Sequence, residues 1–516
     1  MGPLFTQGTA ADYHEGMLLV QMRDGGTPAG AGAVGGSAGK ASGFAGQFGA
    51  GPSGGLSALS YYERAGLLSR VTPLARGRAR FAGHTLVAGD DDADGSLVLG
   101  LADRAEGSAA ATLRNVAGYG GARDGAKTSL VELARDEEVK PLQLALANDP
   151  NIASVSRVPI RYLAARPRSG DDSTIAAAPP PAASMWNLRA IRWAQARALA
   201  GFIEADNLKV AVLDSGVDLG HPDLASQVRG YTYAHPTTPG SSSDQDLIGH
   251  GTHVAGTIAA AINNNLGVNG ICHCDLHVWK IFDDQPDFQF DGASGMFVYY
   301  VDPLMYRRAL LDCVEENVAV VNLSIGGRGA PDLTEAGAFA DLMANGTTVV
   351  AAMGNERGQG SPTSYPAAIA GVVAVGATGL EDRVTGFSNS GNHITIAAPG
   401  DAIWSTLPTY PGQTSWQAVQ GSDGRWRQGK AETREVNYDA WRGTSMAAPH
   451  VTAAVALLLA NGGARGPAAV RQALIAAADK VAGMNGAAFH PDYGYGRLNL
   501  EKLLQDARSA ALGKAA

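Results

Sequence analysis

Cysteine is scarce in this chain, at three residues in 516. An odd, small number excludes a disulfide-stapled scaffold. Long apolar runs are missing too. No stretch reaches the eighteen or so residues that a membrane span needs, and the apolar run from Val451 to Ala460 follows a proline and reads as a core helix. Positive charge is in deficit: 40 Lys and Arg stand against 49 Asp and Glu, a net charge of −9. That leaves no electrostatic case for nucleic acid as the main partner. The start, "MGPLFTQGTAADYHEG", has no basic stretch leading into an apolar one, so it is not a usual secretory signal. The expectation is a protein that is cytoplasmic as synthesised, with a non-classical export route or a truncated start as the alternatives.

Glycine, alanine and serine are abundant, and they are unevenly spread. Residues 24–59 form a Gly-rich insert, and 165–185 a Pro/Ala/Ser-rich linker. The insert holds two formal G-x-S-x-G matches, but neither has the strand before it and helix after it that a nucleophile elbow requires. "DDDADG" from Asp90 imitates a calcium loop, yet its twelfth position is Leu101 rather than a bidentate glutamate, so it reads as an acidic turn. Around the insert, "EGMLLVQMR", "TSLVELA" and "IASVSRVPIRYL" read as strands and "PLQLALAND" as a helix, a small α/β domain over 1–164.

A second domain over 186–505, with a tail at 506–516, alternates strand-like and helix-like segments. "KVAVLDSG", "LHVWKIF", "AVVNLSIGG", "TTVVAAMGN", "GVVAVGAT" and "ITIAAPG" are nearly continuous apolar runs, as strands covered on both faces should be. "GTHVAGTIAAAI", "YRRALLDCVEEN", "LTEAGAFADLMANG" and "SMAAPHVTAAVALLLA" intervene as helices. The pattern is α/β, a doubly wound, mainly parallel sheet. Ligands of such sheets bind beyond the C-terminal ends of the strands.

Those ends carry polar residues that break the apolar pattern. Asp214 ends one strand, Asn355 follows another, and His250 and Ser445 open helices. A serine hydroxyl needs a base within hydrogen-bond reach to act as a nucleophile. Imidazole titrates near neutrality and can take that proton and return it. A buried carboxylate fixes the imidazole tautomer, and a side-chain amide can donate to an oxyanion. The bland readings are a helix N-cap for Ser445, an Asx turn for Asp214 and a core or capping role for His250. None of them explains the other residues.

The order Asp, His, Ser is the subtilisin order, and the segments that carry it resemble the subtilisin-like serine proteases. "VAVLDSGVDLGHPDL", "GHGTHVAGTIAA", "VVNLSIGG", "AAMGNE", "FSNSG", "IAAPG" and "GTSMAAPHV" stand in that family's order across roughly residues 186–500. The resemblance implies a serine endopeptidase that hydrolyses protein or peptide substrates through an acyl-enzyme. It makes Asp214, His250 and Ser445 the triad, with Asn355 and the Ser445 amide as the oxyanion hole. Ser324, Ile325 and Gly326 become the edge strand on which a substrate backbone pairs. Ala352 and Gly354 lie in the facing wall of the pocket. His253 reads as structural, one turn along the helix from His250.

The same resemblance places a structural calcium ion on Asp223, Asn264 and the carbonyls of Ile262, Leu266 and Val268, oxygen donors of the kind calcium takes. A plain Asn-rich turn is the alternative. "CHCDLH" at 272–277 lacks a second ligand pair at metal-site spacing, so it reads as buried thiols or as one disulfide to Cys313. Residues 1–164 resemble the family's inhibitory propeptide. That makes the chain a self-processing zymogen with its own N-terminal domain as intramolecular inhibitor, cut between about Ala164 and Met185. A peptide ligase on the same scaffold and a silent peptide-binding homologue are the rival readings. Two segments, 283–303 and 408–440, depart from the family pattern and read as inserts near the cleft. A partner-binding surface or an ordinary solvated loop suits the second.

Overall fold

The computed structural model describes residues 12–22, 68–75, 98–99, 116–117, 128–133, 143–144, 146–148, 152–163 and 185–515, the last without 237, 239, 291–294 and 464. The Gly-rich insert, the acidic turn from Asp90 and the linker ahead of Met185 lie outside the described residues. The chain divides into two compact units. The smaller comprises Tyr13–Pro159 with Asp332–Ala338, and the larger comprises the rest.

In the smaller unit the strands are β1 (Tyr13–Met22), β2 (Leu68–Ala75), β3 (Val98–Leu99), β4 (Val116–Ala117), β5 (Thr128–Leu133) and β6 (Ile152–Pro159). They share one sheet, in which β1 pairs antiparallel with β5 and β6, and β2 antiparallel with β5. Leu18, Val20, Ile152 and Val158 are buried. Residues 143, 144, 146 and 147, within the expected helix "PLQLALAND", are helical.

The larger unit begins with β7 (Tyr162–Leu163), helices α1 (Trp186–Ala190) and α2 (Trp193–Arg197), β8 (Ala205–Asp214) and β9 (Val228–Thr232). Then come α3 (His250–Ala259), β10 (Cys274–Lys280), β11 (Asp287–Phe290), β12 (Gly295–Val298), α4 (Pro303–Glu315), β13 (Val320–Leu323) and β14 (Ile325–Gly326). After α5 (Leu333–Ala344) follow β15 (Thr348–Ala352), β16 (Val373–Thr378), β17 (Ile396–Pro399), β18 (Ile403–Thr406), β19 (Gln413–Gln420), β20 (Trp426–Thr433) and β21 (Tyr438–Trp441). Helices α6 (Thr444–Ala460), α7 (Pro467–Ala477) and α8 (Leu500–Ala515) complete it.

Seven strands form one parallel sheet in the order β17-β16-β15-β13-β8-β10-β9. Strands β13, β15 and β16 are buried throughout, because helices cover both faces. The doubly wound α/β architecture is the one the alternating apolar runs imply. The chain winds one way from β8 through β9 and β10, then the other way from β13 onward. The switch therefore lies beside β8, and the crevice beyond the strand ends there is where such folds bind ligands. Asp214 closes β8, and Ser324 follows β13.

Helix α6 runs through the core and is buried from Thr444 to Leu458. Its Pro449 has no N–H to give the carbonyl four residues back, that of Ser445. The freed carbonyl takes the Ser324 hydroxyl instead, at 2.9 Å.

The second insert is a strand hairpin rather than a loop, although its outer strand β20 is largely exposed. Strands β11 and β12 from the first and β19 and β20 from the second pair antiparallel, in the order β11-β12-β19-β20. Phe288 stacks on Trp426 and meets Phe297 edge-on across this sheet.

Candidate active site

Asp214 and His250 are both fully buried, and Asp214 Oδ1 accepts from His250 Nδ1 at 2.6 Å and from the Ser215 amide at 2.7 Å. The bond fixes the ring orientation, with Nδ1 on the carboxylate and Nε2 on the opposite side of the ring. Nε2 meets no hydrogen-bond partner among the described residues. Trp441 lies beside the ring, 6.1 Å between centroids, and stacks on His253 at 5.4 Å. His253 gives Nε2 to the Ile403 carbonyl, and burial pushes its pKa down to about 3, so it stays neutral. It is a packing residue, as expected.

Helix α3 starts on a glycine, Gly249, with no side-chain cap of its own. The cap comes from outside the helix. Asp246, fully buried, accepts from the Gly249 amide (2.8 Å), the Thr252 amide (2.9 Å), the Thr252 hydroxyl (2.7 Å) and the Ser215 hydroxyl (2.8 Å). Ser215 Oγ in turn accepts from the Gly251 amide. One carboxylate therefore ties the start of the His250 helix to the residue after Asp214.

Ser445 is the second residue of α6, and the helix is preceded by Gly443 rather than capped by Ser445. Its amide is among the first-turn N–H groups that point out of a helix N-terminus. Its hydroxyl donates to the Ser324 carbonyl at 2.8 Å, and the Ser324 hydroxyl donates back to the Ser445 carbonyl. Asn322 holds Ser324 Oγ and accepts from Thr452 further along α6. Helices α3 and α6 pack on each other, and Trp441, four residues ahead of Ser445, lies 6.1 Å from the His250 ring between centroids.

Asn355 uses Oδ1 to accept from the Thr444 amide and hydroxyl at 3.0 and 3.1 Å, so its NH2 end is turned away from them. Ala352 ends β15. Gly354 has φ +93°, and a Cβ there would come within 2.5 Å of the Asn389 amide and 2.6 Å of Glu356 Oε2, so only glycine fits. Glu356 is buried. It accepts from Asn389 at 2.7 Å and from the Tyr162 hydroxyl at 3.2 Å. Burial first, and then the Glu356 charge, pushes the Tyr162 pKa up, so this phenol stays a donor.

Tyr162 belongs to β7, which pairs antiparallel with β14: Leu163 faces Ile325 and Tyr162 faces Gly326. The chain thus lays its own extended segment along Ile325–Gly326. The Val301 amide donates to the Arg161 carbonyl on the other side.

Asp223 is fully buried. Its carboxylate accepts from Asn264 Nδ2 (2.6 Å), the Val268 amide (3.3 Å) and the Tyr438 hydroxyl (2.9 Å). The loop 262–268 thus closes around it. Asn264 Oδ1 in turn accepts from the Leu266 amide at 3.0 Å, so both ends of this amide are bonded within the site. Asp223 and Asn264 thereby bring side-chain oxygens of the kind a hard cation takes to this loop. No group of three or more His, Cys, Asp or Glu placed to share a metal occurs among the described residues. Cys272, Cys274 and Cys313 are free and buried, so the disulfide expected as one option is absent. No described helix is long and apolar enough to cross a membrane.

The family described as "Subtilase family" matches residues 205–496, more than half of the chain. The chain belongs to the subtilase family. This subtilase is 34% identical over 303 residues to subtilisin of Bacillus pumilus, covering 58% of its own length and 91% of the relative's. It is 34% identical over 262 residues to the major intracellular serine protease of Bacillus subtilis, covering 50% and 69%. Among solved structures it is similar to fervidolysin from Fervidobacterium pennivorans, described as a keratinolytic enzyme related to subtilisin. There the TM-score is 0.52 and the identity 28%, over 73% of this chain and 56% of that one. This subtilase is accordingly a serine protease of the subtilisin family.

Sequence reasoning missed Asp246, Tyr162, Trp441 and Asn389. It took "AAMGNE" as a pocket wall without singling out Glu356. A signal was present for Asp246, an acid four residues ahead of the helix that carries His250.

Proposed function

We propose that this subtilase is an endopeptidase whose nucleophile is Ser445, with His250 as base, Asp214 as its orienting carboxylate and Asn355 as oxyanion donor. The observation that carries the reading is the buried 2.6 Å bond between Asp214 and His250 Nδ1, with Nε2 left without a hydrogen-bond partner among the described residues. Ser445 Oγ turns from the Ser324 carbonyl to His250, and unliganded sites often hold such bonds loosely. Oγ attacks the peptide carbonyl while its proton passes to Nε2. Asn355 Nδ2 and the Ser445 amide take the developing oxyanion, each such donor lowering the barrier by about 2.7–4 kcal/mol. The imidazolium returns the proton to the leaving amine, the C–N bond breaks, and water then releases the acyl group by the same route.

The chain is made as a zymogen that processes itself in the linker between about Ala164 and Met185, and its N-terminal domain serves as intramolecular inhibitor. Support comes from β7, which runs antiparallel along β14 immediately before that linker. A calcium ion on Asp223, Asn264 and the Ile262, Leu266 and Val268 carbonyls holds the loop after α3 in place. Its role is structural, and no chemical step passes through it. Neither the ligase nor the silent-homologue alternative has an observation of its own in its favour.

The test is intact mass over time for the purified chain and for Ser445→Ala. Loss of the residues ahead of the linker in the first and not in the second is the expected result. Two chains that both stay whole, and that take no label from an active-site sulfonyl fluoride, overturn the reading.

A further inference from the structure

The 408–440 insert does more than build the extra sheet. Its two roots grip the loop that leads into the His250 helix. Tyr410 Oη accepts from the Asp246 amide at 2.8 Å. Arg434, buried at 7% exposure, donates Nε to the Leu247 carbonyl (3.0 Å) and Nη2 to the Asp246 carbonyl (3.2 Å), and its guanidinium lies over the Tyr410 ring. Gly249 has φ +87°, and a Cβ there would come 2.7 Å from Arg434 Cδ, so the guanidinium stem and the helix start are packed without room for a side chain. Thr409 is anchored as well, with amide and hydroxyl both on Asp218 Oδ2 at 2.8 Å.

What these contacts hold is the Asp246 carboxylate with its four donors. We propose that Asp246, clamped by Arg434 and Tyr410 of the insert, is the positioning residue for His250. The inference rests on His250 being the base of the proposed triad. Asp246 places the first turn of α3 through Gly249 and Thr252, and it places Ser215, neighbour of Asp214, through its hydroxyl. It also sets a buried negative charge against the first turn of the His250 helix, partly offset by the Arg434 cation. Other charged or titratable groups facing this cluster are Asp214, neutral His253 and, behind it, His450 on the His250 side, and Asp218, Tyr410, Tyr231, Asp284 and Lys280 on the side of Asp246 and Arg434.

A buried charge and a merely structural brace are told apart by sign. Removing a nearby anion disfavours the imidazolium, and removing a nearby cation favours it. The experiment is the pH dependence of inactivation by phenylmethylsulfonyl fluoride for the full chain, Asp246→Asn, Arg434→Met and Arg434→Lys. The rate rises as the imidazole loses its proton. The expected midpoint moves to lower pH in Asp246→Asn and to higher pH in Arg434→Met, each by about one pH unit for a charge at this range in protein. Arg434→Lys keeps the midpoint but reacts more slowly at its plateau, because the fork that bridges two carbonyls is lost. Shifts of the same sign, or none, overturn the positioning role while leaving the triad standing. A wild-type chain inert to the reagent overturns both. Should Asp246→Asn not fold, the pair at 434 decides: a shift in Met that is absent in Lys supports the role, and equal midpoints sink it.

Discussion

Ser324 and Ser445 exchange two hydrogen bonds, each hydroxyl donating to the other residue's main-chain carbonyl at 2.8–2.9 Å. The exchange is possible because Pro449 cannot serve the Ser445 carbonyl from within the helix. Ser324→Ala leaves that buried carbonyl without its side-chain donor. The expected cost is about 1–3 kcal/mol of stability, measured by urea unfolding in a Ser445→Ala background to prevent self-digestion. An unchanged unfolding midpoint would show that the carbonyl finds another donor.

Glu356 receives the Tyr162 hydroxyl in the same region where β7 lies on β14. A peptide residue taking the place of Tyr162 gains a hydrogen bond to a buried carboxylate. Such a bond contributes about 1.5–3 kcal/mol, so Tyr should exceed Phe at that position by about tenfold or more in kcat/KM. Glu356→Gln should narrow the ratio, read from paired Tyr and Phe peptides. A ratio near one in the parent enzyme would show that substrates do not follow the β7 path.

The sheet and the proposed triad were legible because polar residues interrupt apolar strands at their ends. Asp214 and Asn355 stand where "VAVLD" and "VVAAMGN" leave the core, and a buried strand has no other use for them. The four-stranded sheet of the inserts was not legible. Its central pairing joins Phe297 to Trp416, and no local window links residues so far apart. Strand β9, "VRGYT", was missed because it is half-exposed, short and broken by glycine. Asp246 was passed over because two of its four donors are main-chain amides, which leave no trace in residue type, and the Ser215 hydroxyl reaches it from 31 residues away. The masking of Ser445 as a helix cap fails for a positional reason: it stands two residues inside α6, after Gly443.

Calcium should matter to the loop 262–268 and not to the chemistry. Asp223 is its one carboxylate, and any ion there must compete with the bond from Tyr438. Adding calcium to metal-stripped Ser445→Ala should raise the melting temperature, by the mass-action stabilisation that a ligand of the folded state confers, about 2.7 kcal/mol at a hundred times its Kd. Asp223→Ala should remove the calcium dependence. A melting temperature indifferent to calcium in the parent would leave Asp223 as a hydrogen-bonded pin for the loop and nothing more.

His450, fully buried in α6, accepts from Asn187 Nδ2 at Nε2 and donates Nδ1–H to the Met446 carbonyl. That bonding suits the neutral ring, and burial pushes its pKa down to about 4. A histidine depressed in the folded state binds its proton more readily when unfolded. Its contribution to stability is therefore complete above the unfolded value near 6.5 and is lost as pH falls from there towards 4. The slope in that window is about 1.4 kcal/mol per pH unit for one proton. Buried carboxylates such as Asp283, pushed up to about 7 by burial and by Asp302, act in the opposite sense. The test is therefore a difference. In the Ser445→Ala background, His450→Gln should lose less stability than its parent between pH 6.5 and 5 when both are unfolded in urea. Parallel losses would mean that the imidazole takes up a proton without leaving its place, and that acid sensitivity begins elsewhere.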